Sequence, residues 1–165
     1  MTKQNVFKGV TAVQRSLVEY WCLLRDDSGV VRRESIDPGH LRSMLASISI
    51  VEFDESGEGR FRIAGSRLRD LLGFEARGRK VSDVTGENAE TYALGLSAAI
   101  ERGGPVGGVI ESDGKLHAWL RLPMAGTDGR TNQVLCHDEL LPNRRLLLTP
   151  PVSAAIPPSP GLYAA

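Results

Sequence analysis

The chain has 165 residues, of which 41% are apolar and 24% are charged, as in a soluble globular protein with one domain and one core. Twenty basic residues balance twenty acidic ones, so no overall charge would draw the protein to nucleic acid or to an anionic membrane. The two cysteines form no disulfide framework and no run of about 18 apolar residues occurs, which together predict a cytoplasmic protein with no membrane partner.

The first predicted element is an amphipathic helix from Val10 to Arg25. Its apolar stripe recurs at helical spacing and consists of Val13, Leu17, Tyr20, Trp21 and Leu24. Asp37 and Pro38 then supply an N-cap and a first-turn proline, which predict a short helix from His40 to about Leu45.

A hairpin and a short helix are predicted next. Ile48 to Phe53 is rich in Ile and Val, and apolar residues alternate with arginines around Phe61, so two strands are expected here. The short helix runs from Ser66 to Leu72, with tight turns at Gly65 and Gly73. Gly73 stands where a left-handed residue ends a helix.

One long helix and three strands complete the predicted domain. The helix runs from Asn88 to about Arg102, and the strands span 106–110, 115–122 and 131–140. The alternation in 115–122 separates two sets of side chains. We expect one set to face the core: Leu116, Ala118, Leu120 and Leu122. We expect the other to share the outer face: His117, Trp119 and Arg121.

The end of the chain has a different composition. Five of the nine prolines fall in the last 16 residues, which is typical of extended, unpacked chain. We therefore predict a flexible N-terminus over 1–9, a single domain over 10–148 and a Pro-rich disordered tail over 149–165.

The order of elements predicts an α+β fold with an antiparallel sheet. Several short segments narrow this class: Tyr20-Trp21 with Leu24-Arg25, Ser35 to Pro38 with Leu41, Phe61 to Ser66, and Gly73 with Gly78-Arg79. Between about Leu17 and Leu140 they make the chain similar to the alphaproteobacterial stand-alone PAS-like domains. The chain departs from that family at Val31, where proline is common, and at Ser66, where threonine is.

The resemblance implies a five-stranded antiparallel sheet, with short helices and one long helix over one face that enclose a cleft. It also implies a non-catalytic sensory or regulatory domain that acts in bacterial signal transduction through protein contacts, with a small ligand in the cleft as an option. In such domains an N-terminal helix commonly packs beside the sheet and against its partner's copy. We therefore expect a homodimer.

The residues that would line this cleft would equally make a filled core. They are Ile48, Ile50, Phe61, Ile63, Leu72, Tyr92, Leu96, Leu116, Leu120 and Leu122. No cofactor is expected. The long helix lacks a histidine or cysteine to hold haem, and the Asn-Cys-Arg-Phe segment of flavin-binding photosensory relatives is missing.

The sheet's outer face needs a cover, because it carries the indole of Trp119. The N-terminal helix is the available apolar surface of sufficient length. We therefore predict a helix-sheet and dimer interface built from Val13, Leu17, Tyr20, Trp21, Leu24 and Trp119.

Two alternative functions stay open. The segment from Arg60 to Lys80 contains seven basic residues and only two acidic ones. Arg62, Arg67 and Arg79 are therefore candidate contacts for an anionic nucleotide or second messenger. Strand and helix geometry instead favours scattered, solvated side chains.

A small enzyme with His117 or His137 as base is the other alternative, but no nucleophile elbow supports it. Neighbours in 136–139 point to opposite faces of a strand, which disfavours a metal site.

Overall fold

The computed structural model describes residues 7–84, 89–112 and 114–142. Three α-helices and five strands lie in these ranges: α1 (Ala12–Leu23), β1 (Ile48–Phe53), β2 (Gly59–Ala64), α2 (Ser66–Leu72), α3 (Ala89–Arg102), β3 (Val106–Ser112), β4 (Lys115–Ala125) and β5 (Thr131–Leu141). Three 3-10 segments accompany them: Arg33–Ser35, Pro38–Ser47 and Val81–Asp83. The predicted tail over 149–165 and most of the predicted flexible N-terminus lie outside the described residues.

The five strands form one sheet in the order β2-β1-β5-β4-β3, and every neighbouring pair is antiparallel. The longest pairing joins β4 to β5, from Leu116 opposite Leu141 to Ala125 opposite Thr131. This arrangement confirms the predicted α+β fold with a five-stranded antiparallel sheet. No helix in the described ranges is long and apolar enough to cross a membrane.

Local signals in the sequence account for several boundaries. Thr11 caps α1 by accepting a hydrogen bond from the amide of Gln14, and Asp37 caps the following 3-10 segment by accepting from the amide of Gly39. Gly73 ends α2 with φ of 81°, as its position predicted. Gly65 has an ordinary φ of −66°. A side chain there would instead collide with the carbonyl oxygen of Ala46.

The helices bury both faces of the sheet. The α1 face carries an apolar cluster that includes Leu17, Trp21, Leu120, Leu122 and Leu135. The α3 face carries a second cluster, formed by Phe61, Leu68, Tyr92, Leu96, Ala99, Val106, Val134 and Cys136. Trp21 also fixes α1 in place, because its indole nitrogen donates to the carbonyl of Pro123 at 3.0 Å.

The predicted orientation of β4 was wrong. Leu120 and Leu122 face α1, whereas Trp119 and Arg121 face α3. Trp119 therefore takes no part in an interface with α1, and its ring packs instead against α3 at Gly95. The reason is physical. Both faces of β4 are covered, so the two-residue period separates two sets of side chains without saying which helix covers each.

Candidate functional site

A buried ionic network occupies the α3 face of the sheet. Arg121 on β4 is 1% exposed and donates twice to Asp138 on β5, from Nη1 to Oδ2 at 3.1 Å and from Nη2 to Oδ1 at 2.9 Å. His117 Nε2 lies 2.6 Å from the same Oδ1. Arg121 Nη1 also donates to the carbonyl of Leu120 at 3.0 Å. The Asp138 carboxylate is therefore held between two partners on the neighbouring strand.

Aromatic rings enclose the guanidinium of Arg121. Its central carbon lies 4.2 Å from the ring centroid of Tyr92 on α3 and 5.5 Å from that of Trp119. The Tyr92 hydroxyl is 3.0 Å from Ser49 Oγ on β1. A single set of contacts therefore joins β1, β4, β5 and α3, and the charge of Arg121 is compensated by Asp138 and by the faces of two rings.

Burial and charge set the protonation of this network. Burial opposes ionisation of Asp138, but Arg121 and then His117 outweigh it and lower the pKa of that carboxyl. Burial raises the pKa of Tyr92 well above its ordinary value and raises the pKa of Cys136 to about 11. At neutral pH the Cys136 thiol is therefore protonated, which makes it a poor nucleophile.

The predicted cleft residues do not line one cavity. Phe61, Tyr92 and Leu96 lie on the α3 face, with Leu72 at its margin. Ile48, Ile50, Leu120 and Leu122 lie on the α1 face. Leu116 shares that face by alternation along β4, and Ile63 is 41% exposed. The list therefore mixes two faces of the sheet, and this prediction is corrected: most of these residues are packed core.

Two open clefts border the α3 side of the sheet. One of about 390 Å³ lies between the β1-β2 hairpin and α3, where Phe53, Val84 and Leu96 give it apolar walls and Glu58 and Glu90 supply charge. The other, of about 250 Å³, lies between α2 and β5, and its lining includes charged side chains. Of the predicted cleft residues, Leu96 lines the larger one.

The three arginines proposed as anion contacts have separate surroundings. Arg62 pairs with Glu52 at 2.8 Å, and Arg79 stacks over Phe74 with its guanidinium carbon 5.1 Å from the ring centroid. Arg67 lines the smaller cleft together with acidic residues. This placement is the scattered, solvated arrangement that strand and helix geometry favoured. Among the described residues, no group of three His, Cys, Asp or Glu side chains could hold a metal ion.

One flank of α1 carries a further groove, which the sequence-based reasoning missed. It has a volume of about 710 Å³ and is lined by Lys8, Arg15, Val18, Glu19, Cys22 and Leu23. Leu23 is 83% exposed. Of the predicted interface stripe on α1, Leu17 and Trp21 are buried against the sheet, Tyr20 and Leu24 are partly buried, and Val13 is 40% exposed. The signal was present in Leu23, an apolar residue outside the predicted stripe; Val18, the other apolar residue outside it, is buried in the core of the α1 face.

Gln14 is a second residue that the sequence-based reasoning missed. Its side chain is fully buried under α1, where Nε2 lies 3.3 Å from His137 Nδ1 on β5. Its Oε1 accepts from the backbone amide of Val10 at 3.0 Å. Gln14 occupies the same helical stripe as Leu17 and Trp21, so its spacing alone could have identified it as a buried polar side chain.

Known proteins similar to this chain are PAS and light-oxygen-voltage domains. A family model described as a PAS domain matches residues 10–128. Solved structures similar to the chain include the PAS domain of histidine kinase ThkA, at 14% identity and a TM-score of 0.44 over 56% of this chain and 97% of that one. A light-oxygen-voltage domain studied with a flavin analogue has 14% identity and a TM-score of 0.44, and the match covers 66% of this chain and 86% of that one. A PAS domain from Colwellia psychrerythraea has 17% identity and a TM-score of 0.38, and the match covers 66% of this chain and 100% of that one. No curated protein matched the chain.

Proposed function

The chain belongs to the PAS domain family, and on that basis we propose that it is a non-catalytic, cytoplasmic sensory and regulatory domain whose output is a protein contact made by α1. The observation that carries the proposal is the groove along one flank of α1. One side of this helix is already buried on the sheet, yet the adjoining flank still presents apolar surface at Leu23. Exposed apolar patches of this kind mark interaction sites.

The partner that fits this groove best is a second copy of the chain. Arg15 and Glu19 are opposite in charge and lie one turn apart on its rim. In a two-fold dimer the same patch contacts itself, so antiparallel α1 helices would set Arg15 opposite the partner's Glu19. In the same register Leu23 would lie beside the first turn of the partner's α1, where the aliphatic stems of Lys8 and Arg15 would cover it. A homodimer would therefore pair the charges of Arg15 and Glu19 and also remove Leu23 from water.

The buried network supports a regulatory rather than a catalytic role. Arg121 and Asp138 compensate each other, and Cys136 is protonated at neutral pH, so these groups favour a fixed structure over bond-making chemistry. The cleft of about 390 Å³ beside α3 is the space where a small ligand would tune the domain. Such a ligand would contact Leu96 on α3 and Phe53 on β1.

Sedimentation velocity at several concentrations tests the dimer. We expect wild-type protein to dimerise at tens of micromolar and Leu23→Glu to sediment as a folded monomer, because the new carboxylate would be buried without a partner. Leu94→Glu on α3 is the matched control, since Leu94 is also exposed, at 62%, but does not line the groove. A monomeric wild type would overturn the dimer, and a dimeric Leu23→Glu would overturn this interface.

A further inference from the structure

The amide of Gln14 is held between two groups that each require one orientation. The amide of Val10 is a donor, so it requires the side-chain oxygen of Gln14. The side-chain nitrogen of Gln14 is then a donor toward His137 Nδ1, which must accept and therefore carry no proton. The contact fixes the first turn of α1 to β5, and it exists only while that ring nitrogen is unprotonated.

Protonation of His137 creates a conflict that the amide cannot relieve by turning over. With Nδ1 protonated, two donors face each other across the contact. If the amide flips, its oxygen can accept from the imidazolium, but its nitrogen then meets the donor of Val10. Either way one buried donor loses its acceptor, which is costly at a site where Gln14 is fully buried.

The surroundings of His137 favour the neutral ring. Burial is the largest influence and lowers the pKa of His137, and Arg121 on β4 and Arg67 on α2 act in the same direction. Asp138 and Glu139, its neighbours on β5, oppose them. Asp138 is already paired with Arg121 and His117 on the α3 face. The ring is therefore neutral near pH 7 and takes up a proton more readily once it is released from burial.

We propose that Gln14 and His137 form a proton-operated latch, in which protonation of His137 releases the first turn of α1 from the sheet. This inference rests on the proposed function in one respect: the proposed function makes α1 the output surface, and the latch controls the docking of α1. The released state binds the proton more readily than the docked one. Docking is therefore strongest above the ordinary histidine value of 6.5 and weakens as the pH falls below it.

Gln14→Glu is the sharpest test, because it reverses the sign of the effect. A carboxylate at this position can accept from the amide of Val10 and from a protonated His137 Nδ1 at the same time. Lowering the pH then strengthens the contact instead of breaking it. Gln14→Met keeps a similar volume but neither donates nor accepts strongly, so it removes the contribution of the hydrogen bond and leaves the response that burial of His137 produces by itself.

The measurement is amide hydrogen exchange of peptides from α1, normalised to the intrinsic exchange rate at each pH, with β4 peptides as the internal reference. Between about pH 7.5 and pH 5.5 we expect wild-type α1 to lose protection by up to roughly tenfold, because pH 5.5 lies about one unit below the ordinary histidine value of 6.5. Gln14→Glu should gain protection over the same range. Gln14→Met should lose less protection than wild type does, because only the effect of burying His137 remains. His40→Asn is the control variant, because His40 stacks on Tyr20 of α1 at 4.5 Å yet is exposed. It should respond as wild type does.

Three results would overturn the latch: a loss of protection in Gln14→Met as large as that in wild type, a response of unchanged sign in a folded Gln14→Glu, or a response abolished in His40→Asn. The same exchange experiment on Leu23→Glu separates this inference from the proposed function. A pH response in α1 that persists in a monomer supports the latch whether or not the dimer exists. Sedimentation of the wild type tests the dimer whether or not the latch exists.

Discussion

Both faces of the sheet are buried, but the two are held by different forces. The α1 face is an apolar surface of Leu17, Trp21 and Leu122 with neutral polar contacts at Gln14 and at the Trp21 indole. The α3 face has a full ion pair at its centre, Arg121 with Asp138, enclosed by aromatic rings. Apolar burial depends on area and tolerates small shifts, whereas a buried charge depends on one partner in one geometry. We therefore expect the α3 face to be rigid and the α1 face to be the one that can be released.

Arg121→Met should have the largest effect on stability. It removes the guanidinium from a carboxylate that is 6% exposed and leaves that carboxylate with the His117 contact, and breaking a buried pair in this way costs about 3–5 kcal/mol. Chemical denaturation gives the change in free energy of unfolding. Arg62→Met is the matched control, because the pair of Arg62 with Glu52 is exposed on the arginine side and should contribute about 0–1 kcal/mol.

A double variant, Arg121→Met with Asp138→Leu, separates the lost pair from the unpaired charge. If the unpaired carboxylate is the main cost, the double variant should recover most of the stability that the single variant loses. Equal losses in the Arg121→Met and Arg62→Met variants would contradict the contrast between the buried network and surface pairs.

Trp21→Phe tests the α1 face and should have a smaller effect. It keeps an aromatic ring in the apolar cluster but removes the donor to the Pro123 carbonyl, which leaves a buried acceptor unpaired at a cost of about 1–3 kcal/mol. Tyr20→Phe is the control, since the Tyr20 hydroxyl accepts from the amide of Asp37 at an exposed position. A loss in Tyr20→Phe as large as that in Trp21→Phe would show that this buried hydrogen bond is not what holds α1.

Gly95→Ala should have the smallest effect, and its sign is informative. Within a helix, alanine is favoured over glycine by about 1 kcal/mol. At Gly95, however, a Cβ would lie 2.8 Å from Trp119 Cζ3, and overpacking a core costs about 1–3 kcal/mol. We expect a net loss of about 1 kcal/mol, measured by thermal unfolding. Gly104→Ala has open space and should be neutral. If Gly95→Ala stabilised the protein, the Trp119 ring would have to move aside for the new Cβ, and the α3 face would not be rigid.

The sequence predicted the fold better than the site, for reasons that particular residues make clear. Strand and helix patterns are local, so the five strands, the long helix and the left-handed Gly73 could be read directly. The burial of Arg121 depends on Asp138, which follows 17 residues later on the neighbouring strand, and an isolated arginine favours an exposed assignment. A register shift between Ile50 and Val51 also changes which residues of β1 and β2 share a face. Tertiary pairing therefore decided what local alternation could not.

The difference between the two cysteines gives the experimenter a ready means of labelling. Cys136 is buried, and its pKa of about 11 keeps it unreactive in the folded protein at neutral pH. Cys22 is partly exposed and lines the groove on α1. A thiol-directed spin label or fluorophore will therefore attach at Cys22 in the unmodified sequence. A label at Cys22 lies beside the proposed dimer interface, so the distance between the labels of two copies can be measured there.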